Sequence, residues 1–92
     1  MEDGAINTET KVTEIWERVI GSKGIGSHVR FIDVGGNSLN LVEILKQIKE
    51  EIGVTPSPRL FFHKEQSTVA AISADIDAKL LEAGATKTAV NQ

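Results

Sequence analysis

Gly35-Gly36-Asn37-Ser38-Leu39 leads directly into Asn40-Leu41-Val42-Glu43-Ile44-Leu45-Lys46-Gln47-Ile48-Lys49-Glu50-Glu51-Ile52. At ~100° per residue, Leu41, Ile44, Leu45, Ile48 and Ile52 share one face. Ser38 to Ile52 therefore reads as an amphipathic helix, and Gly53 is its natural stop. Leu39 and Val42 fall outside that stripe, on a side that Ser38 borders. They form a small apolar patch unless the preceding loop folds over them. Ser38 opens the helix, where backbone N–H groups and the helix dipole favour an attached phosphate. A serine is also favoured there simply as an N-cap, so residue type alone leaves a purely structural role open.

Upstream, Gly21 to Asn37 is a long loop punctuated by Gly21, Gly24, Gly26, Gly35 and Gly36, with Ile25, Val29, Phe31, Ile32 and Val34 as apolar anchors. A loop of this length in a compact domain is functional or disordered, and the anchors argue against disorder. Phe31 is expected to be a packed plug that positions the Ser38 end. Before the loop, Val12, Ile15, Trp16, Val19 and Ile20 recur at helical spacing. They predict a helix from Thr8, its N-cap, to Ile20, with Gly21 as the residue after its end.

Downstream, Ser57 followed by Pro58 is an N-cap and N1 proline, which predicts a short helix to His63 anchored by Leu60, Phe61 and Phe62. Ser67 or Thr68 then caps a further helix, on which Val69, Ile72, Ile76 and Leu80 recur at three, four and four. On the exposed side of the second helix, Glu43 with Lys46 and Glu50 with Lys46 can pair. No strand-like alternation competes. The expected fold is all-α: a small bundle of three main helices and one short one, with a long loop between the first two. Residues 1–7 read as a flexible lead-in, 8–82 as the domain and 83–92 as a flexible tail.

Bulk properties narrow the function. The 92-residue chain has a net charge of −3 and no basic cluster, which argues against nucleic-acid binding. It has no cysteine, and its two histidines, His28 and His63, lie far apart, so no metal site is expected. No apolar run reaches the ~18 residues of a membrane span, and the acidic start lacks a leader pattern. A cytoplasmic location is the default. Ser38 has no second glycine after it to make a nucleophile elbow, and nothing in the sequence supplies an adjacent base. Gly24-Ile25-Gly26 lacks the Gly-Lys-Ser/Thr ending of a phosphate-binding loop.

Taken together, these residues resemble the phosphopantetheine-dependent carrier proteins, most closely the peptidyl carrier proteins of nonribosomal peptide synthesis. Ile15-Trp16 with Val19-Ile20-Gly21 resembles the family's first helix. Phe31 to Leu39 resembles its Phe-Phe-x-Leu-Gly-Gly-x-Ser-Leu signature. Leu60-Phe61 and Ser67-Thr68-Val69 resemble its third helix and the start of its fourth. The likeness runs in order from Val12 to Leu81. It implies that Ser38 receives 4′-phosphopantetheine from coenzyme A through a phosphopantetheinyl transferase and magnesium, and that the arm carries an aminoacyl or acyl thioester. It implies docking of partner enzymes at Leu39 and Val42; on the charged face of the same helix, Glu43 is a secondary candidate for partner recognition. It gives Phe31, Asp33, Gly35, Gly36 and Asn37 supporting places in the motif. The implied partners are the transferase, an adenylation or acyl-loading enzyme, and condensation or tailoring enzymes. The chain itself is expected to be a non-enzymatic monomer.

Departures from the pattern are informative. Ile32 replaces the second phenylalanine, an apolar change expected to preserve packing. Asn37 stands where peptidyl carriers often have histidine or aspartate. Asn40-Leu41-Val42-Glu43-Ile44 is closer to the Asp-x-Val-Glu-Leu run of fatty-acid carriers. Yet three glutamates against two lysines leave the helix one net negative charge, so recognition is expected to lean on apolar contact. A polyketide- or fatty-acid-type acyl carrier is thus an alternative, and a non-covalent helical adaptor in which Ser38 is only a cap is another. Met1 begins close to the domain, which leads to the expectation of a free-standing carrier.

Overall fold

The computed structural model describes the backbone of residues 8–90 and the side chains of residues 8–82. The lead-in read at 1–7 lies outside the described residues. Among the described residues there are three α-helices: α1 Thr8–Ile20, α2 Ser38–Glu51 and α3 Val69–Val90. Two short 3₁₀ segments, Ile32–Val34 and Pro58–Phe62, lie in the connections. Among the described residues there is no strand, and a single antiparallel bridge joins Arg30 to Thr68. The expected three-plus-one arrangement is observed, with one extra 3₁₀ turn inside the long loop. α3 continues through Ala83 to Val90, over most of the segment whose composition reads as a tail. No described helix is long and apolar enough to cross a membrane.

One apolar core organises the bundle. α1 contributes Val12, Ile15 and Trp16, α2 contributes Leu41, Ile44 and Ile48, and α3 contributes Val69, Ile72 and Ile76, all buried. These are the positions the 3.6-residue period selects. Leu45 and Ile52 pack against the core while partly exposed, as expected for the edges of the stripe. Leu80, at the far end of its row, is 39% exposed. Ile25 and Phe31 from the loop and Phe61 from the second 3₁₀ segment complete the core.

The helix ends follow local chemistry, with two departures. Gly21 and Gly53 adopt left-handed backbone with φ of 86° and 109°, conformations that glycine reaches without a Cβ penalty. Thr68 is the cap of α3: its Oγ1 accepts from Ala71 N at 3.1 Å. Thr8, however, is the first residue of α1, and its hydroxyl donates to Asp77 Oδ1 on α3 at 2.6 Å. Ser57 stands at the N-cap position but makes no side-chain cap. Its N–H donates to Asp75 Oδ2 at 2.9 Å and its Oγ accepts from Lys79 Nζ at 3.3 Å, so it ties the 3₁₀ segment to α3.

Candidate functional site

The loop before α2 is held on both sides. Ile25 N donates to Glu17 Oε2 on α1 at 3.1 Å, and Ser27 Oγ donates to Glu9 Oε1 at 2.8 Å. Ala70 N reaches Ser27 O at 3.0 Å and Phe31 N reaches Ser67 O at 2.7 Å, so the loop is stitched to the start of α3. Arg30 pairs with Asp33 at 2.9 Å and donates to Lys64 O at 3.2 Å. Arg30 holds the Asp33 carboxyl below its ordinary value, and Asp33 raises Arg30 in turn. Asp33 thus ties the first 3₁₀ turn to Arg30, and its side chain stays about half exposed.

Phe31 is the expected plug. It is 2% exposed and meets Trp16 edge-on at 5.3 Å and Phe61 edge-on at 5.1 Å. Such edge-to-face pairs add to plain burial. Its ring also explains Gly36: a Cβ there would sit 2.4 Å from the ring, far inside contact distance. Gly35 is needed for a different reason, a φ of 86° at the end of the first 3₁₀ turn. The glycine pair thus lets the chain turn tightly over a buried aromatic ring and deliver Asn37 to the start of α2.

Asn37, not Ser38, is the N-cap. Asn37 Oδ1 accepts from Asn40 N at 2.9 Å, and Asn40 Oδ1 accepts from Asn37 N at 3.2 Å, a reciprocal capping box. Ser38 is the first helical residue and exposed. Among the described residues its Oγ has no hydrogen-bond partner. This corrects the N-cap reading of Ser38 and leaves its hydroxyl available at the positive end of the helix.

Leu39 and Val42 are 83% and 67% exposed, so the loop does not fold over them. Glu43 is half-buried and leans toward α1: its Oε2 accepts from Gln47 Nε2 at 2.9 Å, and Gln47 Oε1 accepts from Arg18 Nη1 at 2.7 Å. The ion pairs of α2 run to α1, from Glu51 to Arg18 at 2.7 Å and to Lys11 at 3.3 Å, in place of the Glu43–Lys46 and Glu50–Lys46 pairs that spacing permits. The hydrogen bond from Arg18 is the main influence holding Glu51 below its ordinary carboxyl value.

Ile32 and Phe62 depart from their expected anchoring roles, being 71% and 65% exposed. They flank a cleft of about 380 Å³ whose lining includes Phe31, Phe61 and Gly36 and whose edge carries Lys64. The replacement at Ile32 therefore alters a surface, not the core. A 3₁₀ helix has about three residues per turn, so adjacent side chains point ~120° apart. With Phe61 inward, Phe62 faces out. Ile32, Leu39, Val42 and Phe62 are thus the large apolar side chains exposed in or near this part of the chain.

Residues 10–76 match the family model described as a phosphopantetheine attachment site. The chain belongs to that family. Among curated relatives it is 39% identical over 66 residues to surfactin synthase subunit 3 of Bacillus subtilis, and 37% identical over 65 residues to tyrocidine synthase 3 of Brevibacillus parabrevis. These alignments cover 72% and 71% of the chain but only 5% and 1% of the synthases. Two solved structures share the fold. One is BlmI, a type-II acyl-carrier protein from Streptomyces verticillus involved in bleomycin biosynthesis. It has a TM-score of 0.70 and 27% identity over 79% of this chain and 86% of its own. The other is a chain in the complex of the phosphopantetheine transferase Sfp with coenzyme A and a peptidyl carrier protein. It has a TM-score of 0.72 and 31% identity over 80% of this chain and 94% of its own. The family, the carrier-protein fold and the phosphopantetheine cofactor are those the sequence resemblance implies.

Proposed function

We propose that Ser38 is the attachment residue, and that the chain holds aminoacyl or acyl intermediates as thioesters during nonribosomal peptide or related natural-product biosynthesis. The observation that carries this is the Ser38 hydroxyl: exposed, unpartnered, and set at the first position of α2 by a cap that another residue provides. The residues fit a phosphoryl group there. The N–H groups of Ser38 and Leu39, in the first turn of α2, have no intrahelical acceptor, and the helix dipole favours the negative charge. Attachment forms an Oγ–phosphorus bond as the bond from that phosphorus to the nucleotide of coenzyme A breaks, and the hydroxyl proton passes to a base of the transferase. Once attached, the arm supplies a thiol, which this cysteine-free chain lacks.

Leu39 and Val42 serve as docking contacts for the transferase, for an adenylation or acyl-loading enzyme, and for condensation or tailoring enzymes. Glu43, turned toward α1, contributes less. Among the described residues no base lies within hydrogen-bond reach of Ser38 Oγ, which supports a carrier over a serine hydrolase. We place the carrier unit at residues 8–82, acting as a cytoplasmic monomer. A free-standing organisation, as in type-II carriers, is tested by the length of the native reading frame.

The test is intact mass after incubation with coenzyme A, magnesium and a broad-specificity phosphopantetheinyl transferase, beside Ser38→Ala. Gain of one phosphopantetheine by the native chain alone is the expected result. A folded native chain that gains nothing with two different transferases refutes the proposal and favours a non-covalent helical adaptor, with Asn37 rather than Ser38 as the cap. A polyketide-type carrier is the second reading, supported by 29% identity over 85 residues to a phenolphthiocerol/phthiocerol polyketide synthase of Mycobacterium tuberculosis. Loading by an aminoacyl-forming enzyme rather than by an acyltransferase separates the two.

A further inference from the structure

Two adjacent residues compete for one role at the start of α2. Asn37 and Ser38 are both strong N-cap formers, and only one can cap. If Ser38 capped, its Oγ would accept from a backbone N–H one turn into the helix, and the helix would begin one residue later. The structure assigns the cap to Asn37, with extended backbone at φ −143° and ψ −178°. The reason is three residues on. Asn40 returns a hydrogen bond to Asn37 N–H at 3.2 Å while its own N–H is held by Asn37 Oδ1 at 2.9 Å. Ser38 as cap would leave both asparagine bonds unmade.

We infer that Asn37 and Asn40 are positioning residues for the modification of Ser38: their reciprocal capping box keeps the serine out of the N-cap and its hydroxyl free for transfer. The role of Ser38 in this inference rests on the carrier reading above. The competition between caps does not, and can be measured on the unmodified protein. With Asn37 in place, Ser38→Ala removes a hydroxyl that has no partner and leaves stability unchanged. With Asn37→Ala, Ser38 becomes the best remaining cap, and removing its hydroxyl now lowers the melting temperature. The two substitutions are therefore non-additive.

Loading kinetics complete the test, with coenzyme A and a broad-specificity transferase as the probe. Asn37→Ala ties up the hydroxyl in most molecules, and kcat for loading falls about fivefold, on the scale of a typical cap. KM for the carrier stays near the native value because Leu39 and Val42 are untouched. Asn37→Asp keeps an acceptor oxygen in the same place and restores native kcat. Asn40→Ala, which removes one of the two bonds, gives an intermediate loss, and Asn40→Asp restores it. A merely structural role for the asparagines would raise KM in step with lost stability and would not separate Ala from Asp in kcat. An additive thermal cycle, or Asn37→Ala loading at the native kcat, overturns the inference. Failure of the native chain to load, with the thermal cycle still non-additive, refutes the carrier reading and leaves the competition between caps standing.

Discussion

Gly36→Ala is the most telling single substitution in the fold, because its cost comes from one contact. A Cβ at position 36 would lie 2.4, 2.5 and 2.6 Å from Cε1, Cζ and Cδ1 of Phe31. That ring is 2% exposed, and Trp16 and Phe61 pack on it at centroid distances of 5.3 and 5.1 Å. It cannot swing into solvent, so either the ring or the loop must shift. Overpacking of this kind costs ~1–3 kcal/mol. Loss of glycine's freedom in the unfolded chain returns ~0.4–1 kcal/mol. The net is a loss of about 1–2 kcal/mol, or about 5–15 °C in melting temperature for a domain of this size. Thermal melts by circular dichroism read it directly. Phe31→Leu supplies the control: with the ring gone, the same Gly36→Ala change loses most of its additional cost. Gly35→Ala behaves differently. Its Cβ meets nothing within 4 Å, but its φ of 86° is strained for any L side chain, so its cost is independent of residue 31. A Gly36→Ala protein that melts with the native one, or a cost unchanged in the Phe31→Leu background, would refute the steric account.

Two further predictions concern the surface and pH. Leu39→Asp with Val42→Asp should leave the melting temperature nearly unchanged, since both side chains are exposed and such changes cost within ~0.5 kcal/mol each. KM for the loading transferase should rise, and an unchanged KM removes these residues from the docking face. Burial pushes the Asp75 carboxyl up, but the Lys79 ammonium and the Ser57 N–H outweigh it and hold the group below its ordinary value of 3.8. A depressed folded value means stability present above that pH and lost as the pH falls through the folded value below it. Melts taken down through the carboxylate range should therefore show a drop that Asp75→Asn flattens. An identical acid profile in the variant refutes a role for this network.

The sequence alone determined the register of α2 and the burial of its core face. Leu41, Ile44 and Ile48 recur with the helical period, and that period is a local property of the chain. The left-handed turns at Gly21 and Gly53 and the plug at Phe31 were legible for similar reasons: residue type and immediate neighbours suffice. The cap of α2 was legible in principle, since an asparagine followed three residues later by another can close a capping box. Attention to Ser38 alone misses it. The outward turn of Ile32 and Phe62 belongs to tertiary structure. In loops and 3₁₀ segments no long period assigns faces, and apolar character alone does not say which side the core will occupy. The Glu51 pairs to Lys11 and Arg18 likewise join residues 40 and 33 positions apart, which meet only once α1 and α2 have docked. Sequence thus set the helices and pointed to the serine. Packing decided that Ile32 and Phe62 stay on the surface, because in those segments burial is settled by the other elements of the fold and not by the residue itself.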